Sequence, residues 1–185
     1  MFRMFVRALR AALLTRGIYN QAGDDPMAIL HATGIVILAG LSLGLGLTGA
    51  LIETPEDVTL GQVEERLVWM WVFIITTLVG WIVWSVVAYM VGSRFLSGGA
   101  GFRKVLRAIG IVYGPGVLLM LLEVPVLGDY LSAVGLLWIL VAGVVALHEV
   151  QDIDWLGAVL AAGPGWFIGM FIVPAPVIGT LFGPA

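Results

Sequence analysis

The most constraining feature of this chain is a Gly-Pro-Gly motif that occurs twice, each time inside a long apolar stretch. Seven residues after each motif a Val-Pro pair follows, and the two copies are offset by 49 residues. Apolar runs of about 20 residues match the thickness of a bilayer core, so the pattern predicts a polytopic membrane protein with two similarly built, parallel membrane segments. The motif residues are Gly114, Pro115 and Gly116 in the first copy and Gly163, Pro164 and Gly165 in the second.

The amino-acid composition supports a membrane location. Of the 185 residues, 61% are hydrophobic and 11% are charged, whereas soluble domains carry about 25% charged residues. A soluble fold of this size has too little interior to bury that much apolar surface. The chain has no cysteine, which excludes disulfides and thiolate metal sites.

Five apolar segments predict an all-α bundle of five transmembrane helices, with the third and fifth helices kinked. Each segment has at least about 19 residues, enough to cross a hydrocarbon core of about 30 Å at 1.5 Å per residue. The segments are Ile29–Ile52, Leu67–Val91, Leu106–Val124, Tyr130–His148 and Trp155–Val173. Within the first, Gly40 and Gly44 form a small-residue pattern that lets another helix approach closely. Within the second, Trp81 and Trp84 are predicted to fill packing gaps.

The basic residues predict the orientation. Eight of the nine lie before the first segment or in the loop 92–107, while the loop 53–66 is acidic. The positive-inside rule therefore places the N-terminus and the loop 92–107 in the cytoplasm and the C-terminus outside. With no cleavable signal peptide apparent, we expect a multi-pass protein of the plasma or inner membrane.

The N-terminal region reads as a short basic amphipathic helix. Arg3, Arg7 and Arg10 fall on one face of residues 2–14 and apolar side chains on another, a pattern typical of helices that lie on anionic membrane surfaces. A mitochondrial transit peptide has a similar composition and remains an alternative. The sequence thus divides into a cytoplasmic or interfacial segment, 1–28, and a five-helix transmembrane domain, 29–185.

The two Gly-Pro-Gly motifs have a structural and a functional interpretation. Proline removes a helix donor and kinks the helix, and backbone groups freed in this way must be satisfied away from lipid, so both motifs are predicted to face the bundle interior. The kinks either shape a compact fold or form a broken-helix transport site. Because no ionisable side chain lies near either motif in mid-membrane, the structural interpretation is favoured.

Two polar clusters are candidate sites. His148, Glu149 and Asp152 offer ligands for a divalent cation, but a solvated turn with Asp154 as N-cap of the next helix is the favoured interpretation. A basic-aromatic surface suits anionic headgroups or a protein partner. It consists of Arg94, Phe102, Arg103, Lys104 and Arg107. No catalytic motif is recognisable, and neither a cofactor nor nucleic acid binding is expected.

The order of glycines, prolines and aromatics resembles the Yip1 domain family, including its bacterial members. The resemblance begins in the segment 15–19, resumes at Phe95, and continues through the segment 110–115 and the residues 148–150 and 155–158. It also includes Gly98, Gly99, Phe102, Arg107, Pro125, Gly128 and Trp138. It implies five spans with a cytoplasmic N-terminus. Eukaryotic relatives act in vesicle traffic with small GTPases, but this chain lacks their long N-terminal domain, so GTPase binding is not carried over.

Three functions remain open from the sequence. The favoured one is a non-enzymatic integral membrane protein that organises membrane or acts as a partner of other membrane proteins or of further copies of itself. The second is a small transporter or channel with a path lined by the two Gly-Pro-Gly helices. The third is a lipid-modifying enzyme that uses His148 and the neighbouring acids.

Overall fold

A computed structural model describes residues 9–11, 13–15, 17–48, 59–124 and 127–182 of the chain. Throughout these ranges the secondary structure is helical, without strands, which confirms the predicted all-α class. Most of the predicted amphipathic helix over residues 2–14 lies outside the described residues, as do residues 53–58 of the acidic loop 53–66. The rest of that predicted loop is helical from Leu60 onward.

The helical elements are numbered in chain order. In chain order they are α1 (Ile18–Asp24), α2 (Ala28–Thr48), α3 (Leu60–Phe95), α4 (Phe102–Val112), a 3₁₀ segment (Gly114–Glu123), α5 (Leu127–Gln151), α6 (Trp155–Phe167), a π segment (Ile168–Ile172) and α7 (Ala175–Phe182).

Four of the helical stretches are long and apolar enough to cross a membrane, and a fifth span results if α4 and the 3₁₀ segment are counted together. This agrees with the predicted multi-pass architecture. The third predicted span is the broken one: Phe102–Val112 and Gly114–Leu122 meet at an angle of 41°. The fifth continues beyond its predicted end, from Trp155 to Thr180.

Small residues allow the helices to approach closely, as predicted for α2. A Cβ atom built on Gly40 would lie 2.8 Å from Cα of Ile74, and one on Gly44 would lie 3.2 Å from Cα of Met70. α2 therefore packs against α3 along this pair of glycines. On its other side α2 contacts the 3₁₀ segment, which in turn packs against α5, while α6 packs between α3 and α5.

The two Gly-Pro-Gly motifs adopt different structures. Pro115 and Gly116 are buried, and a Cβ on Gly116 would lie 2.8 Å from Cβ of Ala39. In the second motif Gly165 is buried but Pro164 is exposed, inside a continuous α-helix. The prediction that both motifs face the bundle interior is therefore wrong for Pro164.

Helical periodicity explains this difference. Ala161, Gly165 and Gly169 are spaced four residues apart and form a buried stripe. At 3.6 residues per turn, Pro164 lies about 100° around the helix from the middle of this stripe, outside the buried face. The irregularity in this span lies one turn later, in the π segment, which begins at Ile168. The first copy of the motif thus forms the start of an overwound 3₁₀ helix, whereas the second copy precedes an underwound π helix.

The basic end of the bundle is the end at which α1, the connection 96–101 and the turn 152–154 meet. The backbone N–H of Gly99 donates to the carbonyl of Gln151 over 3.2 Å, which joins the connection to the end of α5. Helix α1 contacts both α4 and α5, so residues of the predicted interfacial segment 1–28 pack onto the transmembrane helices.

Candidate functional site

The N-terminal side of the candidate site is built by α1 and the turn before it. Gly17 has a φ of 77°, a left-handed conformation that glycine adopts without strain. This turn directs Tyr19 inward, where the side chain is fully buried and its hydroxyl donates to the carbonyl of Ala11 over 2.7 Å. Burial raises the pKa of Tyr19 well above its ordinary value, and the Glu149 carboxylate raises it further. The phenol therefore stays neutral and remains a donor.

Glu149 connects this turn to α5. Its Oε1 accepts a hydrogen bond from the backbone N–H of Gly17 over 3.0 Å, and the Asn20 amide donates to its backbone carbonyl over 2.9 Å. These contacts join residues about 130 positions apart in sequence. The second carboxylate oxygen of Glu149, Oε2, is buried and has no hydrogen-bond partner.

His148 is held in place by the turn that follows α5. Its Nδ1 lies 2.6 Å from the carbonyl oxygen of Ile153. A carbonyl can only accept, so Nδ1 carries the proton and Nε2 of the neutral ring is an acceptor. The imidazole also stacks on the Trp155 indole, with ring centroids 4.0 Å apart.

The candidate metal ligands do not converge. His148 bonds to Ile153 and Glu149 to Gly17, whereas the helix ends at Gln151, and Asp152 adopts a φ of 56° outside it. Across the described ranges no group of three His, Cys, Asp or Glu side chains is placed to hold a metal ion. The alternative prediction for Asp154 is confirmed, because its Oδ1 accepts from the backbone N–H of Gly157 over 3.0 Å at the start of α6.

Between α1 and the ends of α5 and α6 lies a cavity of about 580 Å³, here called the α1–α5 cavity. Its volume is in the range of small-molecule sites. The rim is open, since Trp155 is 56% exposed. The lining consists of Leu14, Gly17, Asn20, Val145, His148, Glu149 and Trp155.

A buried amide fixes the adjoining part of the basic end. Gln151 is 1% exposed and donates from Nε2 to the carbonyl of Ala88 in α3 over 3.2 Å. A Cβ on Gly92 would lie 1.5 Å from Oε1 of Gln151, so glycine at 92 makes room for the amide. This contact joins the ends of α3 and α5.

The predicted basic-aromatic surface separates into two groups. Arg107 donates from Nη1 to the carbonyl of Gly23 over 2.9 Å, and Nζ of Lys104 lies 3.1 Å from Oδ1 of Asp24. These two cations bind the C-terminal end of α1, where the helix dipole favours positive charge. Arg94 and Arg103 remain exposed. Phe102 is half-buried and packs edge-on against Tyr89.

Sequence reasoning missed the residues through which α1 binds the bundle. Tyr19, Asn20 and Gln151 were not singled out, although all three are anchored by side-chain hydrogen bonds. A glycine directly before a short helical stretch, as at Gly17, was the available signal for a turn. Its partner Glu149 lies too far along the chain for any local pattern to reveal.

A family model described as the Yip1 domain matches residues 16–175, most of the chain. The matched region includes α1, the α1–α5 cavity residues from Gly17 onward and the candidate spans, the last of them as far as residue 175. No curated protein and no solved structure matches the chain.

Proposed function

The chain belongs to the Yip1 domain family, and from this premise we propose that it is a non-enzymatic multi-pass membrane protein that organises membrane or other membrane proteins at its basic end. The observation that carries the proposal is the exposed pair Arg94 and Arg103, with Phe95 80% exposed beside them. Cations and an aromatic ring close to a span suit anionic headgroups at the membrane surface.

The proposed location is the plasma or inner membrane, with the basic end in the cytoplasm and the C-terminus outside. The positive-inside asymmetry of the sequence supports this orientation. The proposed partners are the bilayer itself and other membrane proteins, including further copies of this chain.

Packing in the bundle centre supports this function over transport. Trp84 is fully buried and lies against α5 and α6, where Cβ atoms on Gly143 and Gly165 would approach its ring to 2.5 and 2.4 Å. Pro115 is buried, and Gly116 lies against Ala39 of α2 and Ile139 of α5. An aqueous path along both Gly-Pro-Gly motifs would need this packing to open.

Cysteine accessibility tests the orientation. A cysteine at Gly99 is expected to react with an impermeant maleimide only after the cytoplasmic side is opened, and one at Gly61 in intact cells. Neither glycine has an atom within 4 Å of a built Cβ, so both substitutions leave the fold intact, and the native chain contributes no thiol. Labelling of both positions from the same side would contradict the five-span topology.

Lipid titration tests whether the exposed cations of the basic-aromatic surface bind anionic headgroups. The double variant Arg94→Gln/Arg103→Gln is expected to bind a fluorescent phosphatidylglycerol about 30-fold more weakly than the wild type, because each cation near the surface contributes about 1 kcal/mol. The measurement is fluorescence anisotropy of the detergent-solubilised protein at low salt, repeated at high salt, where the difference should shrink.

Arg66→Gln is the control for this titration, because it removes a cation from the opposite end of α3. Its affinity for phosphatidylglycerol should stay near that of the wild type. Equal affinities of the wild type and the double variant would overturn the headgroup-docking proposal.

A further inference from the structure

The α1–α5 cavity presents hydrogen-bond acceptors and a negative charge. Since Nδ1 of His148 donates to Ile153, its Nε2 is free to accept. Glu149 lines the same cavity, and only its Oε1 accepts a hydrogen bond from the Gly17 N–H. The ligand that these two side chains suit is therefore a hydrogen-bond donor with positive charge.

The second oxygen of Glu149 lacks a partner. A buried carboxylate oxygen without a hydrogen bond is unfavourable by an amount comparable to a lost hydrogen bond to a charged group. Because Glu149 lines the cavity, a donor cation bound there would interact with this carboxylate. The neighbouring Trp155 indole adds a π face on the rim, which attracts cations at short range.

We propose that the α1–α5 cavity binds the primary ammonium group of a phospholipid headgroup. A primary ammonium has three donors and no acceptor, which matches the acceptors Glu149 and His148 better than a quaternary ammonium, which has no N–H. The cavity volume of about 580 Å³ is sufficient for a phosphoethanolamine headgroup.

The flank of α6 favours a lipid over a soluble amine. Leu156 is 67% exposed and Val159 is 50% exposed, and both follow Trp155 directly along α6. This apolar strip extends from the rim of the cavity into the predicted membrane, where acyl chains would lie along it. Tryptophan at the start of a span is itself typical of the headgroup level.

The inference rests on the membrane location in the proposed function but not on the basic-aromatic surface. It concerns a zwitterionic amine lipid and the side chains of α5 and α6, whereas that surface concerns anionic lipids and Arg94 with Arg103. Failure of one test therefore leaves the other standing.

Selective lipid retention tests the proposal. The full chain is reconstituted in nanodiscs with equal amounts of phosphatidylethanolamine and phosphatidylcholine of identical acyl chains, transferred to detergent, and examined by native mass spectrometry. We expect the wild type to retain phosphatidylethanolamine about tenfold over phosphatidylcholine, the effect of one charge-assisted hydrogen-bonded contact.

Glu149→Gln should abolish this preference. Glutamine keeps an oxygen that accepts from the Gly17 N–H, so α1 stays docked while the charge is lost. Trp155→Leu is a second variant at an exposed position. It should lower the retention of both lipids without loss of folding, because the π face of the indole attracts primary and quaternary ammonium groups alike. Glu64→Gln removes an equivalent carboxylate from the exposed opposite end of α3 and should retain the wild-type preference.

Three results would overturn the proposal. The first is equal retention of the two lipids by the wild type, and the second is an unchanged preference in a folded Glu149→Gln variant. The third is complete displacement of the lipid by soluble phosphoethanolamine at equal concentration, which would identify a soluble amine as the ligand.

Discussion

Replacement of Trp84 by alanine is expected to destabilise the protein by about 3–5 kcal/mol, the range for a large aromatic removed from a packed interior. Trp84 is fully buried, and its ring lies 5.8 Å from that of Tyr113. Gly143 and Gly165 have no Cβ atoms that could expand into the vacated volume, so the cavity would persist. Unfolding in detergent, followed by circular dichroism over a denaturant series, measures the loss.

Trp71→Ala is the matched control for this prediction. Trp71 lies on the same helix but is 65% exposed, so its removal should change the free energy of unfolding by less than about 1 kcal/mol. Similar losses in the two variants would show that Trp84 does not fill the centre of the bundle. They would also weaken the packing argument against a transport path.

The membrane-spanning architecture was predictable because it depends on local composition. Apolar runs and clustered arginines act over short stretches, and each candidate span overlaps a predicted segment. The close packing of α2 and α3 at Gly40 and Gly44 was also predictable, since absence of a Cβ is a local property. Trp84 was correctly assigned to packing for a related reason: a large aromatic away from the interfaces has few other roles.

The candidate site was only partly predictable, because it depends on contacts between distant segments. His148 and Glu149 stood out as polar residues beside a span, but a shared helix face with Asp152 required α5 to continue beyond Gln151. The partners of these side chains come from Gly17 and Asn20, brought close by the folded bundle.

The prediction of the basic-aromatic surface was incomplete for the same reason. Local charge predicted that four cations, together with Phe102, face lipid headgroups or a protein partner, yet Lys104 and Arg107 bind α1. The sequence places a cation near the membrane. Whether that cation binds a lipid headgroup or a carbonyl or carboxylate of the chain itself depends on the tertiary fold.

The orientation of the second Gly-Pro-Gly motif depended on which helix face is buried. Ala161, Gly165 and Gly169 are all small, and their spacing of four residues indicates a contact stripe that excludes Pro164. The shift to a π segment after Phe167 has no comparable sequence signal, since it arises where α3 and this span meet.

The second large loss of stability is expected for Gly80→Ala, at the contact between α3 and the π segment. A Cβ on Gly80 would lie 2.5 Å from the carbonyl oxygen of Gly169, and one on Gly169 would lie 2.7 Å from that of Gly80. Both obstacles are backbone atoms, which cannot rotate away as a side chain can. The variant must separate α3 from the π segment, and we expect a loss of about 1–3 kcal/mol, the usual range for overpacking.

Gly163→Ala separates this steric effect from the general effect of adding a methyl group to a helix. No atom lies within 4 Å of a Cβ built on Gly163, and alanine has a higher helix propensity than glycine by about 1 kcal/mol. Thermal unfolding should therefore show a lower Tm for Gly80→Ala, by about 2–4 °C per kcal/mol, and an unchanged or higher Tm for Gly163→Ala. If both variants shifted in the same direction, the close contact between α3 and the π segment could not be the cause, and the role of small residues in bringing these two spans together would have to be abandoned.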